Sequence, residues 1–124
     1  ELERCIDDEG NIKENASPEL KQATRDVAIT RQKLESKVGN FLSNDTYKEA
    51  IQDSYHTERE GRLVIPVKSE KRSQVEGIVH DSSGSGQTLY IEPSPIIPLN
   101  NQLKINLAVE EFDFEIYSRN FSFH

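Results

Sequence analysis

The sequence predicts an α+β fold: a two-helix, antiparallel, coiled-coil-like stalk carrying a small antiparallel β-meander. Three observations lead there. Leu20, Val27, Leu34 and Phe41 recur every seven residues, the narrow apolar seam of a helix that pairs with one other helix. From residue 54 the apolar period shortens to two and glycine-bearing turns separate the runs, which is the pattern of strands. The 124 residues are 34% hydrophobic and 30% charged, with no Trp and no Met, which suits a single domain with a modest core and a large solvated surface. An enzyme pocket generally needs more apolar walling than this.

Each element has its own signals. An acidic segment covers 1–17. Ser17 is a good N-cap, Pro18 suits the first helical position, and Glu19 adds a carboxylate to the first turn. Ala23, Thr30 and Val38 fill in the seam of this outgoing helix. Gly39-Asn40 is a plausible end, which Phe41-Leu42 extends. Residues 44–53 suit a short helix with Tyr47 and Ile51 on one side, closing a first segment over 18–53. The β segment covers 54–93. SYHTE, the turn Arg59-Glu60-Gly61 and RLVIPVK form a hairpin, in which Pro66 implies that one side is unpaired or bulged. SEKRS is a charged connector, and VEGIVHD and TLYIEP form a second strand pair joined by SSGSGQ. Over 94–124, Pro93, Pro95 and Pro98 bracket an irregular stretch, and Asn100-Asn101 suits the cap of a returning helix. LKINLAV alternates as a strand would, but the acidic run from Val109 to Ile116 favours helix. Leu103 and Leu107 then supply the face that pairs with Leu20, Val27 and Leu34.

The formal net charge of −7 gives no general attraction to nucleic acid or anionic membrane. The charge is uneven, however: residues 1–20 hold seven acids and two bases, whereas residues 59–72 hold five bases and two acids. A single cysteine, Cys5, forms no internal disulfide and fits a reducing, cytoplasmic setting. The acidic start is unlike a signal peptide, and no apolar run approaches the ~20 residues of a membrane span. A start without Met suits a piece excised from a longer protein.

Most catalytic readings of the chemistry-bearing residues fail on geometry. His80-Asp81 beside Ser82, Ser83 and Ser85 looks like a nucleophilic triad, but neighbours in a strand point to opposite faces, and no G-x-S-x-G elbow is present. SSGSG is followed by Gln87 and a strand, where a P-loop needs Lys and a helix. Its serine and glycine amides could still touch backbone phosphates, with Ser83 and Ser85 as the candidates; the alternative is a mobile hairpin tip. The acidic stretch around Gly10 would place Cys5 and Ala16 at calcium-ligand positions, and His56, His80 and His124 are too dispersed for zinc, so no metal is expected. The basic cluster Arg59, Arg62, Lys68, Lys71 and Arg72 is the strongest functional signal, either a polyanion contact or an ordinary solvated face. Few aromatics interleave with it, which argues against base stacking.

Several phrases together carry a resemblance. CIDDEGNIKENASPEL, TEREGRLVIPVKSE and GIVHDSSGSGQTLYIEP, followed by LNN, resemble the bacterial MutS-two family, the MutS paralogues with a C-terminal Smr domain. The resemblance covers about the whole chain. It implies that residues 18–42 are an outgoing lever helix, 54–93 a clamp and 99–117 the start of a returning lever. It also implies that this stretch has no catalytic residue and no cofactor. ATP, magnesium, the Smr endonuclease and homodimerisation are implied for the longer family protein. The implied partners are branched or recombining DNA and the ribosome, with no membrane. His80, Asp81 and Glu92 would then brace the hairpin. EIYSRNFSFH departs from the family pattern after Ile116, so 118–124 is expected to fray. The alternative is an interaction module that self-associates through its heptad helix.

Overall fold

The computed structural model describes residues 17–122. The segment 1–16, with Cys5 and the rejected calcium loop, lies outside the described residues, as does His124. The order is α1 (Pro18–Leu42), a 3-10 turn (Asp45–Tyr47), β1 (Thr57–Arg59), β2 (Arg62–Lys68), 3-10 turns (Ser69–Gln74), β3 (Gly77–Ser82), β4 (Thr88–Pro93), a 3-10 turn (Ser94–Ile96) and α2 (Ile97–Ser122). Two main helices and a four-stranded antiparallel sheet make it an α+β arrangement. Packing divides the chain into two units, residues 17–31 with 102–122 and residues 32–101.

The first unit is a helix pair. The Ser17 hydroxyl accepts from the Leu20 N–H at 3.0 Å, the bond an N-cap makes to the third helical residue. Leu20, Ala23 and Val27 are buried, and so is Leu103 of α2. The rest of the seam is polar. Thr24 Oγ1 donates to Glu110 Oε2 at 2.9 Å, and Asn106 Nδ2 donates to Thr30 Oγ1 at 2.7 Å and to the Asp26 carbonyl at 3.3 Å. Numbers rise along α1 as they fall along α2, so the two segments run antiparallel. Leu107, expected on the pairing face, is 37% exposed. The seam follows Leu103, Asn106 and Glu110, and these polar bonds set a rotation of α2 that turns Leu107 outward. The helix also runs to Ser122, past the point where fraying was expected, because no Gly or Pro lies beyond Ile116 to break it.

The second unit holds the sheet. Leu34 and Val38 of α1 are buried in it, with Ala50, Ile51, Val64, Ile65, Val67, Val75, Ile91 and Ile96. The expected short helix over 44–53 is a single 3-10 turn, capped by Asn44 Oδ1 accepting from the Thr46 N–H at 2.8 Å. The Tyr47 ring stacks on Phe41, with centroids 4.1 Å apart. The chain then straightens because residues 50–52 bond to β2. Gln52 N–H donates to the Pro66 carbonyl and Lys68 N–H to the Ala50 carbonyl, each at 2.8 Å, around an isolated bridge between Ile51 and Val67. This is the sparsely paired side that Pro66, with no N–H, tolerates.

Glu60 (φ 56°) and Gly61 (φ 76°) make the two-residue turn between β1 and β2, closed by the Arg59↔Arg62 pair. Positive φ at both central residues suits a type I′ hairpin. The strand order is β1-β2-β4-β3, not the chain order of a meander. The 3-10 turns over Ser69–Gln74 carry the chain past β4's place, so β3 becomes an edge strand. Burial accounts for the choice: β4 offers buried Ile91 opposite Ile65, whereas β3 carries exposed Ile78, Asp81 and Ser82. α2 begins at Ile97, earlier than Asn100, because Pro98 is compatible with a first helical turn.

Candidate nucleic-acid interface

The centre of the sheet unit is a buried carboxylate. The β3–β4 register shifts between Val79 and Asp81, leaving His80 as the extra residue of a bulge. A bulge re-aims a side chain, and this one points His80 at Glu92, whose side chain is fully buried. His80 Nε2 lies 2.7 Å from Glu92 Oε1, and His80 Nδ1 lies 3.2 Å from Glu60 Oε1. Arg62 grips Glu92 in a fork: Nε to Oε1 at 2.7 Å and Nη2 to Oε2 at 2.6 Å. Asn100 Nδ2 donates to Glu92 Oε2 at 2.9 Å and to the Leu63 carbonyl at 3.1 Å, while Asn100 Oδ1 accepts from the Leu63 N–H at 3.1 Å. One carboxylate thereby ties β2, β3, β4 and the first turn of α2 together. Burial pushes its pKa up. The hydrogen bonds from Arg62, His80 and Asn100, with the Arg62 charge, outweigh that and hold it below its ordinary value. Gly77 is required beside it, since a β-carbon there would collide with the Glu92 carbonyl.

Asp81 does a second job at the surface. Arg59 lies over the Tyr90 ring, 4.3 Å from its centroid, and its Nε reaches Asp81 Oδ2 at 3.0 Å. Arg59 Nη1 also donates to the Glu58 carbonyl at 2.8 Å and to Thr57 Oγ1 at 3.2 Å. The β1–β2 turn is thus fastened to β3 twice, through Arg59–Asp81 and Glu60–His80. The His80–Asp81 pairing that the triad reading needs does not form, because His80 engages Glu92 and Glu60 while Asp81 engages Arg59.

These contacts split the basic cluster. Arg62 is 16% exposed, and it bonds Asn101 Oδ1 at 2.6 Å and the Ile97 carbonyl at 3.4 Å as well as Glu92. Its donors are committed inside the fold, so it does not fit a phosphate contact, and Arg59 is largely committed too. Lys68, Lys71 and Arg72 form no ion pair among the described residues. Lys68 lies at the end of the sheet that carries the SSGSG tip, because it pairs with Thr88 and Ser69 N–H donates to the Gln87 carbonyl at 3.0 Å, and Lys71 and Arg72 follow on the 3-10 turns that lead back toward the start of β3. Glu70 lies between Lys68 and Lys71 in the sequence, and Lys48 lies two residues before the Ala50 carbonyl that Lys68 N–H reaches. The tip, expected to be mobile, is tied by its own bonds. Ser83 N–H donates to the Thr88 carbonyl at 2.8 Å, Gly86 N–H to the Ser83 carbonyl at 2.9 Å, and Thr88 N–H to Ser83 Oγ at 3.1 Å. Gly86 takes φ 78° to make that turn. Ser85 stays exposed, while Ser83 is half-buried and used internally.

The sequence reading missed Asn100, Asn101, Glu60 and Lys48. Asn100 and Asn101 read as helix caps, and nothing in their spacing links them to Arg62 or Glu92. Among the described residues, no group of three His, Cys, Asp or Glu side chains could hold a metal ion, and no helix is long and apolar enough to cross a membrane.

Comparison with known proteins agrees with the motifs. The chain is 41% identical over 113 residues to the Endonuclease MutS2 of Symbiobacterium thermophilum, covering 91% of this chain and 14% of that protein. It is 44% identical over 104 residues to the Clostridioides difficile Endonuclease MutS2, covering 84% and 13%, and 42% identical over 118 residues to that of Halothermothrix orenii, covering 94% and 14%. No family model matches. The chain spans about one seventh of the length of these curated relatives, and over that span it belongs to the MutS2 family.

Proposed function

We propose that this segment is a non-catalytic lever-and-clamp element of a MutS2 protein. It grips a nucleic-acid backbone with Lys68, Lys71, Arg72 and the Ser83–Gln87 tip. The observation that carries the reading is the Lys68–Thr88 pairing with its Ser69–Gln87 bond, which sets Lys68, the first of the three cations, beside the SSGSG hairpin. Uncommitted cations together with the exposed Gly84 and Ser85 of the tip suit phosphodiesters, which need charge and donors but no base readout. Branched DNA and ribosomal RNA share that chemistry, so mismatch or recombination intermediates and stalled ribosomes are both partners of the kind expected. In this reading ATP, magnesium, nuclease chemistry and dimerisation fall to the rest of the family protein, and the setting is cytoplasmic, at nucleoid or ribosome. Self-association through Leu20, Val27 and Leu34 has less support, because all three are buried within the chain.

The test is the triple reversal Lys68→Glu, Lys71→Glu, Arg72→Glu, assayed on a four-way DNA junction and on a ribosomal RNA fragment. The expected result is loss of binding to at least one of them with the fold intact. Unchanged affinity for both would remove the patch from the mechanism.

A further inference from the structure

α2 carries an apolar stripe that its pairing with α1 does not use. Ile105 (56%), Val109 (46%), Phe112 (64%) and Ile116 (43%) are all exposed, and their spacing of four, three and four puts them on one face. At 1.5 Å per residue the stripe is about 16 Å long. Single exposed apolar residues are ordinary, but four on successive turns of one face form an interaction seam. The pairing side of this helix runs along Leu103, Asn106 and Glu110 and is occupied by Thr24, Thr30 and the Asp26 carbonyl, while Ile116 and Asp113 at the far end of the stripe line a cleft with Ser17 and Glu19.

The charge around the stripe selects the occupant. From Ile105 to Ile116 there are four acids, Glu110, Glu111, Asp113 and Glu115, and no basic residue. Glu111 and Glu115 are exposed along one side of the stripe, and Asp113 lies on the other. A second copy laid stripe to stripe would set these carboxylates against each other, which opposes pairing. We propose that the stripe docks an amphipathic helix whose apolar face is edged with Lys and Arg. The apolar contacts supply affinity, and the acidic borders select a basic partner and fix its placement. This surface is separate from Lys68, Lys71 and Arg72, so its test does not depend on nucleic-acid binding.

The probe is a synthetic helical peptide with Leu at heptad a and d positions and Lys at the flanks, titrated by fluorescence anisotropy. A scrambled peptide of the same composition and a Glu-flanked peptide are the controls. The expected result is binding of the Lys-flanked peptide at least about tenfold tighter than either control. Phe112→Ser with Ile116→Ser should weaken it about tenfold, with helicity retained by circular dichroism. Glu111→Lys with Glu115→Lys should transfer the preference to the Glu-flanked peptide. Equal binding of the scrambled peptide would reduce the effect to diffuse charge attraction and overturn the proposal. So would a concentration-dependent dimer that Phe112→Ser disperses, since the occupant would then be a second copy.

Discussion

Arg62→Ala should be among the costliest single truncations in the sheet unit, because it leaves Glu92 buried without its fork. Removing one partner of a buried ion pair typically costs about 3–5 kcal/mol, and urea unfolding of the variant would show it. A cost near that of a surface substitution would mean that Arg62 is not a brace. Glu92 also sets a pH dependence. Its folded-state pKa lies below the ordinary 4.5, so its stabilising contribution is complete above that value and is lost as pH falls through the lower, folded value. Glu92→Gln should therefore show a flatter stability profile than the parent as pH falls below the ordinary 4.5, and equal slopes would contradict the assignment. The sequence pointed to His80, Asp81 and Glu92 as hairpin braces, but not to how they divide the work. A bulge at His80 decides that division, and no residue type in GIVHD announces it.

At the scale of the element, helix boundaries were legible where a cap is local. Ser17-Pro18 marks the start of α1 because the cap bond spans only three residues. Ser17→Ala should cost about 1 kcal/mol in thermal unfolding, with no shift indicating that the first turn contributes nothing. Where tertiary pairing competes, local signals failed. Tyr47 and Ile51 suggested a helix face, yet Ile51 pairs with Val67 instead. The heptad of α1 was plain from its apolar repeat. Its complement on α2 was not, because Asn106 and Glu110 occupy the facing positions and only Leu103 keeps the apolar pattern. The strand order was equally hidden, since β2 reaches β4 across a connector whose composition does not say which side β3 will take.

At the scale of the whole chain, two compact units stand within one continuous sequence, and the MutS2 relatives that match it are some seven times longer. The five-base cluster that stood out in the sequence was two features superimposed. Arg59 and Arg62 hold the sheet together, while Lys68, Lys71 and Arg72 form no ion pair among the described residues and are the cations the proposed grip would use. Spacing alone does not separate them; the buried carboxylate that claims Arg62 is 30 residues away. The most direct measurement is therefore the salt dependence of binding to a DNA junction for the parent chain and for Lys68→Ala, Lys71→Ala, Arg72→Ala. At about 0.9 per neutralised phosphate, the slope of log affinity against log salt should fall by about 2–3 in the triple variant. The same slope in both proteins would contradict the claim that these three cations form the grip.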